Sequence, residues 1–306
     1  MKRRDAIKIM GATVLGAIAS TSAASLLTSC APKRRKRIIF YFTATGNSLY
    51  IAKELGDEQT ELLSIPQVMK EQRLVFDADE IGIVYPIYGH MPPRMVREFI
   101  KHATLNADYK FAVLTYGNRK CSAVEIWDDV AQKAGKTFDY IATIVMVDNW
   151  LPNFDMNEQI KIDKHIPENL ARIKSDLAER RQWHEPVSEL EREQHQGFLD
   201  RSGIDSNVGF LKRSEQSFVI TERCIGCGAC VDVCPRGNFS MTSAGVKTQG
   251  DCEFCFACIQ NCPQHAIQFA TDSGDPLLAR GEKNPNARYR NEHISLWEIK
   301  SANRQR

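Results

Sequence analysis

Two similar cysteine runs in the last third of the chain constrain its fold more than any other feature. They read Cys224-Ile-Gly-Cys227-Gly-Ala-Cys230-Val-Asp-Val-Cys234-Pro235 and, further along the chain, Cys252-Glu-Phe-Cys255-Phe-Ala-Cys258-Ile-Gln-Asn-Cys262-Pro263. Both have the spacing C-x2-C-x2-C-x3-C-P, in which three thiolates bind one cubane iron–sulfur cluster and the fourth reaches across to the other cluster. The spacing therefore assigns one cluster to Cys224, Cys227, Cys230 and Cys262, and a second cluster to Cys252, Cys255, Cys258 and Cys234.

Disulfides and zinc sites are the alternatives for these cysteines. Zinc ribbons use paired C-x2-C units and lack both the third C-x2-C step and the C-P ending. Eight of the ten cysteines lie in the two runs, which leaves Cys30 and Cys121 and implies no structural disulfide. The segment 218–270 resembles a bacterial two-cluster ferredoxin, and the resemblance implies transfer of single electrons.

Length and composition indicate an ordinary globular protein. A chain of 306 residues predicts two domains, and 43% hydrophobic and 25% charged residues are typical values. The formal charge of +2 arises in the segment 1–30, which holds four basic side chains against one acidic one. The remaining 36 basic and 37 acidic side chains nearly balance, so we expect no nucleic-acid partner.

The segment 1–30 resembles a targeting signal. Arg3 and Arg4 precede an apolar run, 9–19, that is too short for a good membrane-spanning helix. The pair resembles a twin-arginine export signal, and Leu27-Thr28-Ser29-Cys30 resembles a bacterial lipobox with Cys30 as the lipidated residue. We therefore expect an exported, lipid-anchored protein on the periplasmic side of the cytoplasmic membrane; a short N-terminal anchor with a chance cysteine is the alternative. The basic run 33–37 suits either anionic headgroups or a solvated linker.

Strand-like and helix-like stretches alternate after Arg37, which favours a parallel sheet covered by helices on both faces. The first strand is predicted at 37–42, and its helix ends at Gly56. Further strands are predicted at 61–65, 80–85, 110–116 and 138–146, with helices at 92–102 and 122–135. Ligands of such folds bind at the carboxyl ends of the strands.

The loop after the first strand, Thr43-Ala44-Thr45-Gly46-Asn47-Ser48, combines hydroxyls, a glycine and a helix start, which together suit a phosphate. No G-K-[ST] sequence follows, so it is not a Walker loop. Two later loops, 86–90 and 116–119, are rich in glycine, aromatic and polar residues, as a flat ring would require.

The pattern T-x-T-G-x-S after a first strand resembles the FMN-phosphate loop of flavodoxins, with Ser48 where threonine is usual. The resemblance implies an α/β flavodoxin-like doubly wound parallel sheet plus a small α+β two-cluster ferredoxin domain. It also implies FMN binding by Thr43, Thr45, Gly46, Asn47, Ser48, Tyr88, Gly89, Tyr116, Gly117 and Asn118. A flavodoxin-like scaffold with an empty site is the alternative, and for Tyr88 alone an exposed loop aromatic.

The order of these pieces resembles the EFR1-type flavodoxin–ferredoxin fusion family over residues 37–300. The expected organisation is an export signal with lipobox at 1–30, a flavodoxin-like FMN domain with a helical extension at 37–200, a ferredoxin domain at 215–271 and a C-terminal strap at 272–306. A long helix is expected at 163–181 within the helical extension, and a linker at 197–214.

Several single residues have both functional and structural interpretations. Cys121 is predicted to be a buried, inert thiol, and His265 a surface side chain, although it could tune a cluster. The histidines His165, His184 and His195 are too scattered for a metal site. Asp148, Asn149 and Trp150 are the weakest candidates for the flavin pocket.

We therefore expect an electron-transfer iron–sulfur flavoprotein with two [4Fe-4S] clusters and FMN, and no catalytic residue of its own. Its partner would be a redox protein or a small-molecule electron acceptor. The alternatives are a flavin-dependent reductase of a small molecule, or a ferredoxin-type carrier on a flavin-free scaffold.

Overall fold

A computed structural model describes residues 35–202, 218–269 and 284–306. The predicted signal at 1–30, including Cys30, lies outside these residues, as do the end of the predicted linker and the beginning of the predicted strap. Within the described ranges, no helix has both the length and the apolar character needed to cross a bilayer.

The central sheet is parallel throughout, and its strands lie in the order β2 (Glu61–Ser64), β1 (Arg37–Tyr41), β4 (Glu80–Pro86), β6 (Tyr109–Tyr116), β7 (Tyr140–Val145) and β8 (Trp183–His184). Its first five strands follow the doubly wound order of flavodoxin-like folds. The strands of the described residues are β1 (Arg37–Tyr41), β2 (Glu61–Ser64), β3 (Val75–Asp77), β4 (Glu80–Pro86), β5 (Thr104–Asn106), β6 (Tyr109–Tyr116), β7 (Tyr140–Val145), β8 (Trp183–His184), β9 (Phe218–Ile220), β10 (Phe239–Thr242), β11 (Gly245–Thr248) and β12 (Ile267–Phe269). The predicted fold class is confirmed, and each predicted strand closely overlaps an observed one.

Helices cover both faces of this sheet. The helices of the described residues are α1 (Asn47–Leu55), α2 (Ile65–Lys70), α3 (Arg94–His102), α4 (Ala123–Lys133), α5 (Met156–Gln159), α6 (Ile166–Ala178), α7 (Glu189–Ser202), α8 (Ala229–Asp232), α9 (Ala257–Gln260) and α10 (Leu296–Asn303). Side chains alternate across the strands, so Ile39 packs with α1 and α6 while Phe40 packs with α2 and α3. The two buried faces explain why the strands are continuously apolar.

Three predicted helical or extended segments differ from the structure. The helix predicted at 163–181 is shorter, because the left-handed backbone of His165 before it and of Arg180 after it, with φ of 49° and 51°, does not continue a helix. Helix α7 continues through Gly197, where a linker was predicted. The tail is not wholly extended: Ser295 caps α10 with a capping box, and Trp297 is 72% exposed.

The ferredoxin-like part consists of the hairpin β10–β11, the antiparallel pair β9–β12 and the short helices α8 and α9. It packs directly against the flavodoxin-like part. Phe42 after β1, Val233 after α8 and Phe256 before α9 belong to one continuous buried cluster. The two parts therefore share a core, which fixes the cysteine runs relative to the sheet.

Candidate functional site

The loops that follow four neighbouring strands meet around a cavity of about 400 Å³, within the usual size of a cofactor pocket. This is the edge of the sheet at which the sequence predicts a ligand. The cavity is lined by Thr43, Ala44, Thr45, Asn47, Ser48, Pro86, Ile87, Tyr88, Gly89, His90, Thr115, Tyr116, Gly117, Asn118, Arg119, Met146, Val147, Asp148, Asn149, Trp150, Asn153, Phe154, Phe198, Ser202, Phe254, Cys255 and Phe256. All predicted flavin-site residues except Gly46 are among them.

The phosphate loop is buried, and its hydroxyls are held in place. Thr43 accepts a hydrogen bond from the Gly46 N–H at 3.1 Å, and Ser48 lies 2.8 Å from the Thr115 hydroxyl. Asn149 donates to the Thr45 hydroxyl at 2.6 Å, which places this weak candidate in contact with the loop. These bonds orient the hydroxyls before any ligand binds.

Several backbone N–H groups of the same loop have no hydrogen-bond partner among the described residues, and those of Ala44 and Thr45 lie between its two threonines and its glycine. The N–H groups of Ala44 and Thr45 make no hydrogen bond to any described residue, although both residues are almost fully buried. A buried N–H without a partner is costly, so these donors indicate a bound acceptor such as a phosphate oxygen. The loop therefore fits a phosphomonoester.

The side chain of Asn47 faces the C-terminal tail. It donates to the Val147 carbonyl at 3.1 Å and accepts from the hydroxyl of Tyr289 at 2.6 Å and from the Asn291 amide at 3.2 Å. These contacts leave its backbone N–H as the group for a phosphate. Sequence reasoning did not find this use of the side chain.

Tyr88 belongs to the cavity wall and is not an exposed loop aromatic. Its ring meets Phe42 edge-on, with centroids 6.4 Å apart. Its hydroxyl is buried and has no hydrogen-bond partner among the described residues. Burial, with Cys255 and Glu253 nearby, raises the pKa of this hydroxyl well above its ordinary value. A neutral, unpaired hydroxyl in the wall fits hydrogen bonding to a bound ring system.

Gly117 is required by a close approach to Asp148. A Cβ atom at Gly117 would lie 2.4 Å from the Asp148 Cβ, so no other residue fits there without movement. Burial raises the pKa of Asp148, although the Trp150 N–H and Lys164 partly oppose this effect. The wall formed by Tyr116, Gly117 and Asn118 is thus backed by a carboxyl group.

A histidine pair, of which His90 lines the cavity, was missed by sequence reasoning. His90 and His195 approach with their Nδ1 atoms 3.3 Å apart, although 105 residues separate them. Burial, His195 and Arg119 together lower the pKa of His90 to about 4. Burial also lowers the pKa of His195, so both rings are uncharged at neutral pH.

The first group of cysteines surrounds a small cavity near the surface. Its lining includes Cys224, Cys227, Cys230 and Cys262, so the last cysteine of the second run joins the first three of the first run. Cys224 and Cys227 are exposed, whereas Cys230 is buried. Gly226 and Gly228, with φ of 67° and 73°, turn the run around this cavity.

The second group of cysteines is buried beside the flavin-site cavity. Cys234 lies close enough to Cys252, Cys255 and Cys258 to act electrostatically on each of them. Cys255 also lines the cavity described above. Cys262 thus lies beside the first three cysteines of the first run, and Cys234 lies near those of the second run, while the assignment of each set to a cluster stays a prediction.

Backbone N–H groups point at the sulfurs, as expected for cluster ligands. The Asn238, Phe254 and Ala266 N–H groups donate to the Sγ atoms of Cys234, Cys252 and Cys262 at 3.2, 3.3 and 3.2 Å. As thiols, several of these groups are hard to ionise, and burial raises the pKa of Cys230 and of Cys252 to about 12. Iron would compensate this cost, because thiolates bind it directly.

The described residues were also compared with the arrangement that a single metal ion requires. In residues 35–202, 218–269 and 284–306, no group of three or more His, Cys, Asp or Glu side chains is arranged to hold one metal ion. Each of the four irons of a cubane takes one thiolate, so the four sulfurs are spread around a group larger than a single ion. The finding is therefore compatible with the two cysteine groups. Cys121 is buried, and burial raises the pKa of its thiol, in agreement with an inert role.

Two family models match this chain. Residues 38–144 match a flavodoxin domain, and residues 218–240 match a 4Fe-4S binding domain. The chain is therefore a fusion of a flavodoxin-like domain with a 4Fe-4S ferredoxin domain. The two matches support an electron-transfer iron–sulfur flavoprotein with [4Fe-4S] and FMN cofactors.

Curated relatives match in parts. A ferredoxin of Methanocaldococcus jannaschii is 43% identical over 51 residues, which are 15% of this chain and 66% of the relative. "Putative oxidoreductase AegA" of Escherichia coli is 30% identical over 93 residues, 26% of this chain and 14% of the relative. The chain thus spans about one seventh of the length of the Escherichia coli protein.

Solved structures match part of the chain. A Lactobacillus acidophilus flavoprotein in complex with FMN is 14% identical with a TM-score of 0.28, covering 36% of this chain and 93% of its own. An NAD(P)H:quinone oxidoreductase of Methanothermobacter marburgensis is 11% identical with a TM-score of 0.31, covering 50% of this chain and 98% of its own. TM-scores this low bear on neither the fold nor the activity of this chain.

Proposed function

We propose that this chain carries electrons between two [4Fe-4S] clusters and one FMN. The observation that carries the proposal is the position of Cys255, which belongs to the second cysteine group and lines the same cavity as the phosphate loop and Tyr88. A cluster ligand in the wall of a flavin site leaves no intervening layer of protein between the two cofactors.

Each part of the chain has a distinct role in this proposal. The clusters supply one-electron chemistry, and FMN supplies both one-electron and two-electron chemistry. The N–H groups of Ala44 and Thr45 would bind the phosphate, while Tyr88 and Trp150 would enclose the ring. The buried cysteine group would hold the cluster beside the flavin.

The surface cysteine group is the proposed point of exchange with a redox protein. Cys224 and Cys227 are exposed, and Ile225 between them is 65% exposed. An apolar side chain over an exposed cluster site suits docking of a protein partner. Arg223 and Arg306 lie near this group, which favours an acidic partner surface.

The specific family of the chain and its cellular location are also proposals. The motif order supports the EFR1-type flavodoxin–ferredoxin fusion family. The residues Arg3, Arg4 and Cys30 support export by the twin-arginine route and lipid attachment to the membrane. Twin-arginine export carries folded proteins, which agrees with clusters assembled before export. Labelling with a radioactive fatty acid tests this, because Cys30→Ala should abolish the label.

Anaerobic stopped-flow absorbance tests the proposed function. The chain is mixed with less reductant than its cofactors can accept, and flavin and cluster bands are followed together. We expect both bands to change with linked kinetics, because electrons redistribute within one molecule. Cluster bleaching without any flavin change would contradict the proposal. Turnover with quinones, flavins or disulfides that requires FMN would instead identify a flavin-dependent reductase.

A further inference from the structure

Three consecutive carbonyl groups of the phosphate loop are hydrogen-bonded by the ferredoxin-like part and the tail. The donors come from the last part of the chain, far from the loop in sequence. The bonds are Asn303 Nδ2 to the Thr43 oxygen at 2.9 Å, Asn261 Nδ2 to the Ala44 oxygen at 3.1 Å, and the Asn291 N–H to the Thr45 oxygen at 2.8 Å.

These bonds decide where the loop N–H groups point. The described residues contain no cis peptide bond, and in a trans peptide the C=O and the next N–H point in opposite directions. Holding the Thr43 and Ala44 carbonyls toward the ferredoxin-like part therefore turns the Ala44 and Thr45 N–H groups toward the cavity. Both N–H groups are without a hydrogen-bond partner among the described residues.

The two asparagine amides also donate to backbone carbonyls of the cysteine runs. Asn261 directly precedes Cys262 and also donates to the Ala257 carbonyl at 2.9 Å. In the first run the corresponding position is Val233, which has no side-chain donor, and Asn303 of α10 donates to its carbonyl at 3.1 Å. Each amide thus joins the phosphate loop to a segment between cluster ligands.

The side-chain amides of Asn261 and Asn303 are oriented as hydrogen-bond donors. Asn261 is 3% exposed and Asn303 is fully buried, and each faces two carbonyl oxygens. The amide NH2 group must point toward those oxygens, because an amide oxygen there would be repelled. The Oδ1 atoms of both side chains have no partner among the described residues, so donation is the only hydrogen bonding these side chains show there.

We propose that Asn261 and Asn303 are positioning residues that hold the phosphate loop in its anion-binding conformation, so that FMN affinity depends on the docked ferredoxin-like part and tail. This inference rests on the proposed FMN site. Without an amide donor, the loop peptides are free to rotate, and a carbonyl dipole then faces the phosphate in place of an N–H group. Loss of either donor weakens binding of the phosphate and leaves binding of the ring unchanged.

The test compares FMN with riboflavin, which has the same ring and no phosphate. Both ligands are titrated anaerobically into the full chain, and the dissociation constants are measured by flavin fluorescence quenching. Asn303→Leu and Asn261→Leu keep the side-chain size and remove the donor. Asn303→Asp keeps the shape and serves if the leucine variant does not fold. Asn286→Leu, an exposed tail position, is the matched control.

We expect the dissociation constant of FMN to rise at least about tenfold in each donor variant, since each loop N–H that turns away loses a hydrogen bond to the charged phosphate, which contributes about 1.5–3 kcal/mol. The riboflavin constant should change less than about twofold, and iron content should match that of Asn286→Leu. Unchanged FMN affinity, or an equal loss for both ligands, would overturn the inference. If the unaltered chain binds neither ligand, the FMN site itself is wrong, and both proposals are overturned.

Discussion

Phe256 of the second cysteine run stacks on Trp150 of the flavodoxin-like part, with ring centroids 4.9 Å apart and ring planes inclined by 28°. Phe256 has a φ of 60°, and the equivalent residue of the first run is Gly228 at 73°. A left-handed backbone costs a residue with a side chain about 1–2 kcal/mol. The second run therefore keeps an aromatic ring where its backbone favours glycine, and that ring closes the cavity beside Cys255.

Replacing this ring tests whether packing outweighs backbone strain. Phe256→Gly relieves about 1 kcal/mol of strain but removes a side chain whose burial contributes about 3 kcal/mol. We expect the free energy of unfolding to fall by about 2 kcal/mol in urea titrations. Gly245→Ala calibrates the strain, because Gly245 has a φ of 103° and open space around it. A Phe256→Gly protein as stable as the original would show that the ring is not packed as described.

Paired cysteine substitutions test which residues share a cluster. Cys262→Ala should reduce iron from about eight to about four per chain, and adding Cys227→Ala should remove no more, because both would bind one cluster. Adding Cys255→Ala to Cys262→Ala should remove nearly all iron. Cys121→Ala is the control and should retain about eight. Equal iron in the two double variants would contradict the crossed assignment.

Removing two loop hydroxyls tests the phosphate site itself. The double variant Thr45→Ala, Ser48→Ala should weaken FMN at least about tenfold, because hydrogen bonds to a charged phosphate contribute about 1.5–3 kcal/mol each. Fluorescence titration measures the change, and Ser175→Ala on the exposed side of α6 is the control. Unaltered flavin content would show that the phosphate lies elsewhere.

Glu80 lies at the amino end of β4, at the end of the strands opposite the flavin site. Its substitution should lower stability and leave the flavin site intact. Arg35, Arg37 and Arg180 donate to this fully buried carboxylate. Glu80→Gln removes the negative charge and replaces one of the two acceptor oxygens by an NH2 donor that faces guanidinium groups, so we expect a loss of about 2 kcal/mol at pH 7, with FMN affinity unchanged. Urea denaturation measures it, and Glu61→Gln in the exposed pair with Arg73 should cost less than about 1 kcal/mol.

The stabilisation that Glu80 contributes should depend on pH. Burial opposes the charge on Glu80, but hydrogen bonds from Arg180, Arg37 and Arg35 outweigh it and lower the pKa below the ordinary 4.5. The folded pKa is thus below the unfolded one, so the stabilisation is present above about pH 4.5 and is lost as pH falls through the folded pKa. The stability difference between the original chain and Glu80→Gln should be constant from about pH 8 to about pH 5 and shrink below that. A difference that grows on acidification would contradict the sign.

The alternation of apolar stretches predicts the parallel sheet, which is confirmed, because each strand is marked by residues close together in the chain. The phosphate loop and the assignment of cysteines to clusters also follow from short motifs, and both stay predictions. Contacts between distant segments were not predictable. Asn303 is 260 residues from Thr43, and His195 is 105 residues from His90. Ile160 and Ile162 follow the helical spacing of α6 but lie outside it, since periodicity does not mark where a helix begins. The second run has Phe254 and Phe256 where the first run has Gly226 and Gly228. This difference is visible in the sequence, but the local patterns predicted no role for the two rings.

Iron and acid-released flavin, measured on protein that begins after Cys30 and is purified without oxygen, test the central claim most directly. Two cubanes and one flavin predict about eight irons and about one FMN per chain. Eight irons with no flavin, even after FMN is added, would contradict the account and leave a ferredoxin on an empty flavodoxin-like scaffold.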